Sequence, residues 1–263
     1  MLYWVLKWFL FLPVIKVAFR PWVEGRENVP ASGPAILVGN HVSAGDTYLL
    51  PALVRRKVVF PAKAEAFEGR GLRGRVLKWF LEGVGMLPMD RSGGRASATS
   101  MTGVTGVLQR GDLLGIFPEG TRSPDGRMYK GKTGVARLVL QARVPVIPVG
   151  MVDTQFVRLP LLGIPVMRRP GLRIGTPLDF DRYAGAGNDR DVLRWVTDEI
   201  MFEVQQLSGQ TYVDAYASSV KDAAREGRAF PTTVLPRPGA GRPVPPVPAP
   251  LPPAPAPAPD VAT

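Results

Sequence analysis

Between residues 35 and 207 the chain alternates short, unbroken apolar runs with segments whose apolar positions recur every three or four residues. Runs of strand length are Ala35–Gly39, Lys57–Pro61, Gly85–Met89, Leu113–Phe117, Val144–Met151 and Leu172–Gly175. Helical spacing marks Asp46–Arg56, Arg73–Glu82, Ser97–Arg110, Gly134–Ala142 and Arg190–Leu207. In the last of these Val192, Leu193, Val196, Ile200, Val204 and Leu207 recur at helical spacing, Asp189 or Asp191 caps the start, and Gly209 ends it. Strand–helix alternation predicts an α/β domain, with a mostly parallel central sheet flanked by helices and functional residues gathered where strands end.

The two ends depart from this pattern. Residues 1–19 are apolar and aromatic, interrupted by Lys7, Pro13 and Lys16. A spanning helix wants about 20 largely uncharged residues, and no small-residue cleavage site of a secretory signal follows. Tryptophans with snorkelling lysines suit an interfacial or half-inserted helix, with a short span or a buried helix as the alternatives. A membrane-associated N-terminal helical segment is therefore expected over 1–22, and the α/β domain over 23–228. At the other end, residues 231–263 hold thirteen prolines among Ala and Val with almost no charge. That composition predicts an extended, disordered tail over 229–263.

A length of 263 residues allows one substantial core plus appendages. The formal net charge of +11 favours anionic partners: phospholipid headgroups, phosphorylated substrates or nucleic acid. No basic–aromatic recognition module is visible and the N-terminus is apolar, so lipid is favoured and nucleic acid is not expected. Cysteine is absent, which removes disulfides, thiolate metal sites and a cysteine nucleophile. With a single histidine, a metal site would need an unusual set of carboxylates, and none is expected.

Two glycine motifs mislead. Gly126–Thr133 fits GxxxxGK[ST], yet Ser123, Pro124 and Asp125 precede it where a phosphate loop needs a buried strand. Lys130 and Lys132 in that loop can still hold a phosphate. Gly69–Gly74 fits GxGxxG, but about eight residues separate it from the preceding strand run, whereas a dinucleotide turn follows its strand directly. Around it Arg70, Arg73, Arg75 and Lys78 interleave with Val76, Leu77, Trp79, Phe80 and Leu81. That mixture reads either as a helix touching an anionic membrane or as a solvated basic face.

The one histidine, His41, stands in Asn40-His41-Val42-Ser43-Ala44-Gly45-Asp46. Proton chemistry near neutral pH falls naturally to imidazole, and a carboxylate five residues on can orient the ring and stabilise its protonated form. HxxxxD alone is weak evidence. Three further segments follow in order: Gly85–Arg91 (GMLPMDR), Phe117–Ser123 (FPEGTRS) and Val144–Gly150 (VPVIPVG). Together the four blocks resemble the 1-acylglycerol-3-phosphate acyltransferases of the glycerolipid acyltransferases, over roughly residues 20–210.

The resemblance implies transfer of an acyl chain from an acyl thioester to the 2-hydroxyl of lysophosphatidate, forming phosphatidic acid. The thioester, on coenzyme A or on acyl carrier protein, would be a co-substrate, and no cofactor is implied. His41 would act as general base and Asp46 would hold its tautomer. Direct transfer without a covalent acyl-enzyme fits a chain with no cysteine and no GxSxG elbow. Arg122 would grip the acceptor phosphate from the loop of Gly120 and Thr121, with Arg91 and Lys132 as further candidate phosphate ligands. Glu119 would contact an acceptor hydroxyl or orient Arg122.

Two departures from the common pattern stand out: Met86, Leu87 and Met89 replace aromatic and β-branched residues, and Gly45 is small enough to loosen its loop. The Val144–Gly150 block is expected to be a buried strand, either near the acyl path or plain core. The enzyme would sit as a monotopic or peripheral protein on the cytoplasmic face of the cell membrane. Acylation of another lysolipid or polar-lipid acceptor is the alternative, and a non-catalytic lipid-surface binder is the alternative of another class. The oligomeric state is not legible.

Overall fold

A computed structural model of the chain describes residues 2–89, 103–158 and 165–248. The strands are β1 (Trp22–Glu24), β2 (Ala35–Gly39), β3 (Val58–Lys63), β4 (Met86–Met89), β5 (Leu113–Ile116), β6 (Met128–Tyr129), β7 (Val146–Val152), β8 (Val157–Arg158), β9 (Pro165–Val166), β10 (Gly171–Ile174), β11 (Tyr212–Val213) and β12 (Val234–Leu235). The helices used below are α1 (Leu2–Phe19), α2 (Asp46–Leu53), α3 (Gly71–Gly83), α4 (103–109), α5 (Gly134–Ala142), α6 (Arg190–Ser208) and α7 (Ala217–Arg225).

Among the described residues the main sheet has seven strands in the order β1-β10-β7-β2-β5-β3-β4. From β7 through β4 all neighbours are parallel. β10 runs antiparallel to β7 and carries β1 parallel beside it at the edge. β2, at the centre, is buried at all five positions. Its alternate residues divide the core: Ile36 and Val38 face α4, α5 and α6, whereas Ala35 and Leu37 face α2 and the inner side of α1. A strand buried on both faces has no polar side to show, which is why these runs are continuous rather than alternating. Pro148 sits inside β7. Only its carbonyl is used on the β10 side, by the Gly175 N–H, because β10 has ended at Ile174 and no ladder donor is needed there.

Two expectations about the ends change. α1 is apolar and long enough to cross a membrane, but Lys7 does not snorkel. Its ammonium is buried and donates to the backbone carbonyls of Val54 and Arg56, just past the end of α2. Those carbonyls lack intrahelical donors, and a cation is favoured at that pole of the helix. The Tyr3 hydroxyl accepts from the Val58 N–H at the start of β3, so α1 is fastened at the α2–β3 corner. A wide turn over Leu6–Phe11 precedes Pro13, which has no N–H to continue the regular ladder.

The tail expected to be unpacked from residue 229 is instead strapped to the domain as far as residue 248. β12 pairs with β11, which in turn pairs with β6. Tyr183 Oη donates to the Pro245 carbonyl at 3.2 Å, Gln205 Nε2 to the Pro236 carbonyl at 3.3 Å, and Arg242 pairs with Asp198 at 3.4 Å. A proline-rich strand offers few N–H donors, but its carbonyls remain good acceptors, and α6 supplies the donor Gln205. Residues 249–263 lie outside the described residues.

Candidate active site

β2 delivers the His41 loop at the end of the sheet. Asn40 is fully buried and splices that end onto β7: its Oδ1 accepts from the Met151 N–H at 2.7 Å, and its Nδ2 donates to the Met151 carbonyl at 3.1 Å. Past it the chain turns back to place Asp46 at the start of α2. Asp46 Oδ2 accepts from Ser43 N–H at 2.8 Å and lies 2.9 Å from His41 Nδ1. A carboxylate only accepts, so Nδ1 carries the ring proton and Nε2 carries the lone pair. Asp46 has no exposed surface, and the positive pole of α2 favours its negative charge.

The ring is held on its face as well as its edge. Phe117 stacks on His41 with centroids 4.3 Å apart and planes 10° apart, and Phe60 stacks behind Phe117 at 5.4 Å. Gly45 does not loosen this loop. A Cβ there would meet Met167 Sδ at 2.9 Å, Ser43 Oγ at 3.1 Å and the Thr154 carbonyl oxygen at 3.3 Å, so a larger residue would have to displace its neighbours.

The FPEGTRS block is tied to the histidine loop by two backbone bonds in opposite senses. The His41 N–H donates to Glu119 Oε1 at 2.8 Å, and the Ser123 N–H donates to the His41 carbonyl at 2.7 Å. Glu119 Oε2 accepts from the Tyr129 N–H of β6 at 3.0 Å. Glu119, expected to contact an acceptor hydroxyl or to orient Arg122, is 1% exposed and clamps the histidine loop to β6. Burial pushes its carboxyl up to about 8, with Asp46 adding to the rise; the two N–H donors and Lys221 pull the other way.

Beyond Glu119 the loop is cationic. Gly120 adopts φ +71° and lies under the Lys132 side chain, where a Cβ would come within 3.2 Å of its Cε. Arg122 and Lys132 are exposed and, among the described residues, neither pairs with a carboxylate. The neighbouring cations are already neutralised: Arg127 by Asp125 at 2.6 Å and Lys130 by Asp214 at 2.9 Å. Lys130 is therefore held by an ion pair, and the GxxxxGK[ST] match contains strand β6 where a nucleotide phosphate loop would turn, leaving Lys132 as its exposed cation. In the GxGxxG match, a Cβ on Gly74 would meet the Gly69 carbonyl oxygen at 1.8 Å, so those glycines serve a close backbone contact.

One residue at the site was not anticipated. Lys221 of α7 donates to Thr121 Oγ1 at 3.2 Å and to the Arg122 carbonyl, fixing the loop that carries the guanidinium. Burial and the nearby Arg122 and Arg225 hold its ammonium below the ordinary lysine value. Arg91 lies outside the described residues, as does the 97–102 part of the helix expected over Ser97–Arg110. The second block supplies β4 at the sheet edge, with Leu87 and Met89 packed on the core. In the fourth, Val146, Ile147 and Val149 are plain core, and a Cβ on Gly150 would strike the Leu207 backbone at 2.5 Å.

The family model described as Acyltransferase matches residues 20–152. A chloroplast 1-acyl-sn-glycerol-3-phosphate acyltransferase of Arabidopsis thaliana is 32% identical over 133 residues, covering 50% of this chain and 36% of that protein. The human 1-acyl-sn-glycerol-3-phosphate acyltransferase alpha is 33% identical over 136 residues, covering 52% and 47%. The matched stretch thus spans less than half the length of these relatives. Among solved structures, the 1-acyl-sn-glycerophosphate acyltransferase PlsC of Thermotoga maritima superposes with a TM-score of 0.51 at 23% identity. That match covers 80% of this chain and 74% of PlsC, and it shows the shared α/β fold.

Proposed function

Because the chain belongs to the Acyltransferase family, whose model covers half of it, we propose that it transfers an acyl chain from a thioester to the sn-2 hydroxyl of 1-acylglycerol-3-phosphate, giving phosphatidic acid. The observation that carries this reading is the His41–Asp46 pair at 2.9 Å, clasped to a loop whose exposed cations Arg122 and Lys132 pair with no carboxylate among the described residues. His41 Nε2 takes the proton of the hydroxyl as that oxygen attacks the thioester carbonyl. The C–S bond then breaks, and the departing thiolate receives the proton from the imidazolium. Asp46 stabilises the imidazolium and keeps the other ring proton on Nδ1. Glu119 and Lys221 are positioning residues: the first fixes the His41 backbone, the second the Arg122 loop.

Arg122 and Lys132 hold the acceptor phosphate as charge-assisted donors. Donors on coenzyme A and on carrier protein both fit this scheme, and no cofactor or metal enters it. The 18-residue apolar α1 and the net charge of +11 support residence on the cytoplasmic face of an anionic membrane, with the domain outside the bilayer. The test is purified protein offered a panel of lysolipids with each thioester. Lysophosphatidate is expected to be the preferred acceptor. Equal or better turnover of a lysolipid lacking the terminal phosphate would replace the acceptor assignment, and lipid binding without any acyl transfer would leave a non-catalytic binder.

A further inference from the structure

α3 is held to the protein along one side only. Gly74 is buried against Gly69, and Phe80 lies 6.4 Å from Phe11 of α1. The outer side carries Leu72, Val76 and Trp79, which are 70%, 55% and 60% exposed. Their i, i+4, i+7 spacing puts all three on one stripe. A soluble helix turns such a stripe inward; here it faces outward. Cations border it: Arg73, Arg75 and Lys78 are all exposed. Lys78 makes a surface pair with Glu82 at 3.9 Å, and among the described residues Arg73 and Arg75 pair with no carboxylate.

The stripe also has a neighbour of the same character. At its C-terminal end Leu2 of α1 packs on Gly83, and α1 turns Trp4, Trp8, Phe9 and Val17 outward. The two helices are thus neighbours, each with exposed apolar side chains, and α3 adds exposed cations. Against a second copy of the chain this face would set like charges on like. Against an anionic bilayer both the charge and the apolar stripe are complemented.

We propose that α3 is a second membrane foot beside α1, seating Leu72, Val76 and Trp79 at the headgroup–acyl boundary of an anionic bilayer while Arg73, Arg75 and Lys78 meet lipid phosphates. This goes beyond the acyl-transfer reading and stands whatever the enzyme's acceptor is. It also gives the basic–aromatic segment noted in the sequence its role.

The chain has no cysteine, so Val76→Cys carries an environment-sensitive fluorophore without background. Phe9→Cys on α1 and Glu226→Cys, at the end of α7, serve as references. The full chain is titrated with phosphatidylcholine vesicles and with vesicles containing phosphatidylglycerol, at low and high salt. On anionic vesicles the label at 76 is expected to shift to the blue and to become shielded from an aqueous quencher, while the label at 226 stays accessible. Combining Arg73→Gln, Arg75→Gln and Lys78→Gln is expected to lower partitioning by on the order of a hundredfold, about fivefold per cation, with melting unchanged. A label at 76 that stays accessible while the label at 9 becomes shielded would overturn the proposal. Shielding that appears without lipid and grows with protein concentration would overturn it too, by assigning the stripe to a second copy.

Discussion

Replacing Glu119 by alanine removes the acceptor of two buried donors at once, the N–H groups of His41 at 2.8 Å and of Tyr129 at 3.0 Å. A buried donor left unpaired costs about 1–3 kcal/mol, so the pair costs about 2–6 kcal/mol before the emptied volume is counted. For a domain of this size, at about 2–4 °C per kcal/mol, melting should fall by roughly 5–20 °C. Glu119→Gln keeps one acceptor but turns its NH2 against the other N–H, so it should fall between alanine and wild type. Activity should follow from the loosened histidine loop, with kcat falling by more than KM rises. Thermal melts of both variants, read beside kcat and KM for lysophosphatidate, give the answer. A side chain that touched the acceptor instead would leave melting intact and raise KM. Glu119→Ala that melts within about 2 °C of wild type with its loss confined to KM would refute the clamp.

Three further outcomes follow from the same geometry. Asp46→Asn removes a charge roughly 4 Å from the imidazolium centre, worth about 4 kcal/mol at an effective dielectric of about 20; steady-state kinetics should show kcat about 10³-fold lower. The buried Oδ1, which accepts no bond among the described residues, would become an amide nitrogen with no acceptor there, so some stability is lost as well. Burial of Glu119 gives a pH signature: with its carboxyl at about 8 in the folded chain against an ordinary 4.5, the folded state holds a proton that the unfolded chain has released between those values. Stability should therefore decline as pH rises through that window, by up to about 1.4 kcal/mol per unit, and Glu119→Gln should flatten the profile in chemical denaturation. Arg122→Ala should raise KM for lysophosphatidate by roughly 10- to 100-fold, the worth of a charge-assisted bond, and leave an unphosphorylated acceptor unaffected; equal losses on both acceptors would remove its phosphate role.

The fold was legible wherever a segment carried enough periodic apolar positions. Ala35–Gly39 and Gly134–Ala142 form as expected to the residue, and the long helix gains only Ser208. The two-residue strands β6, β11 and β12 were not legible, since two residues establish no period; they form because Met128, Tyr129, Tyr212 and Val213 are buried against one another's ladders. His41 and Asp46 could be paired from spacing alone because a strand end and a helix start bracket them. The clamp made by Glu119 was not legible, because a carboxylate inside a loop of Gly, Thr and Arg looks like a ligand, and nothing local reveals two backbone donors from residues 41 and 129. Lys221 and Lys7 share that origin: each acts across a long sequence separation, Lys7 on carbonyls that any residue would present and Lys221 on one such carbonyl and the Thr121 hydroxyl. The strapped tail shows the same limit. Composition reported a chain unable to build its own core, and was silent on α6 as a surface to lie against.

The most direct test of the central claim is acyl transfer by His41→Ala, measured as thiol release and phosphatidic acid formation at saturating lysophosphatidate and acyl thioester, on protein shown by melting to be folded. The chain has no second histidine to take over the proton. The expected result is a folded protein whose turnover is lost. Turnover near that of the wild type would contradict it, and would move the base, and with it the chemistry, away from the end of β2.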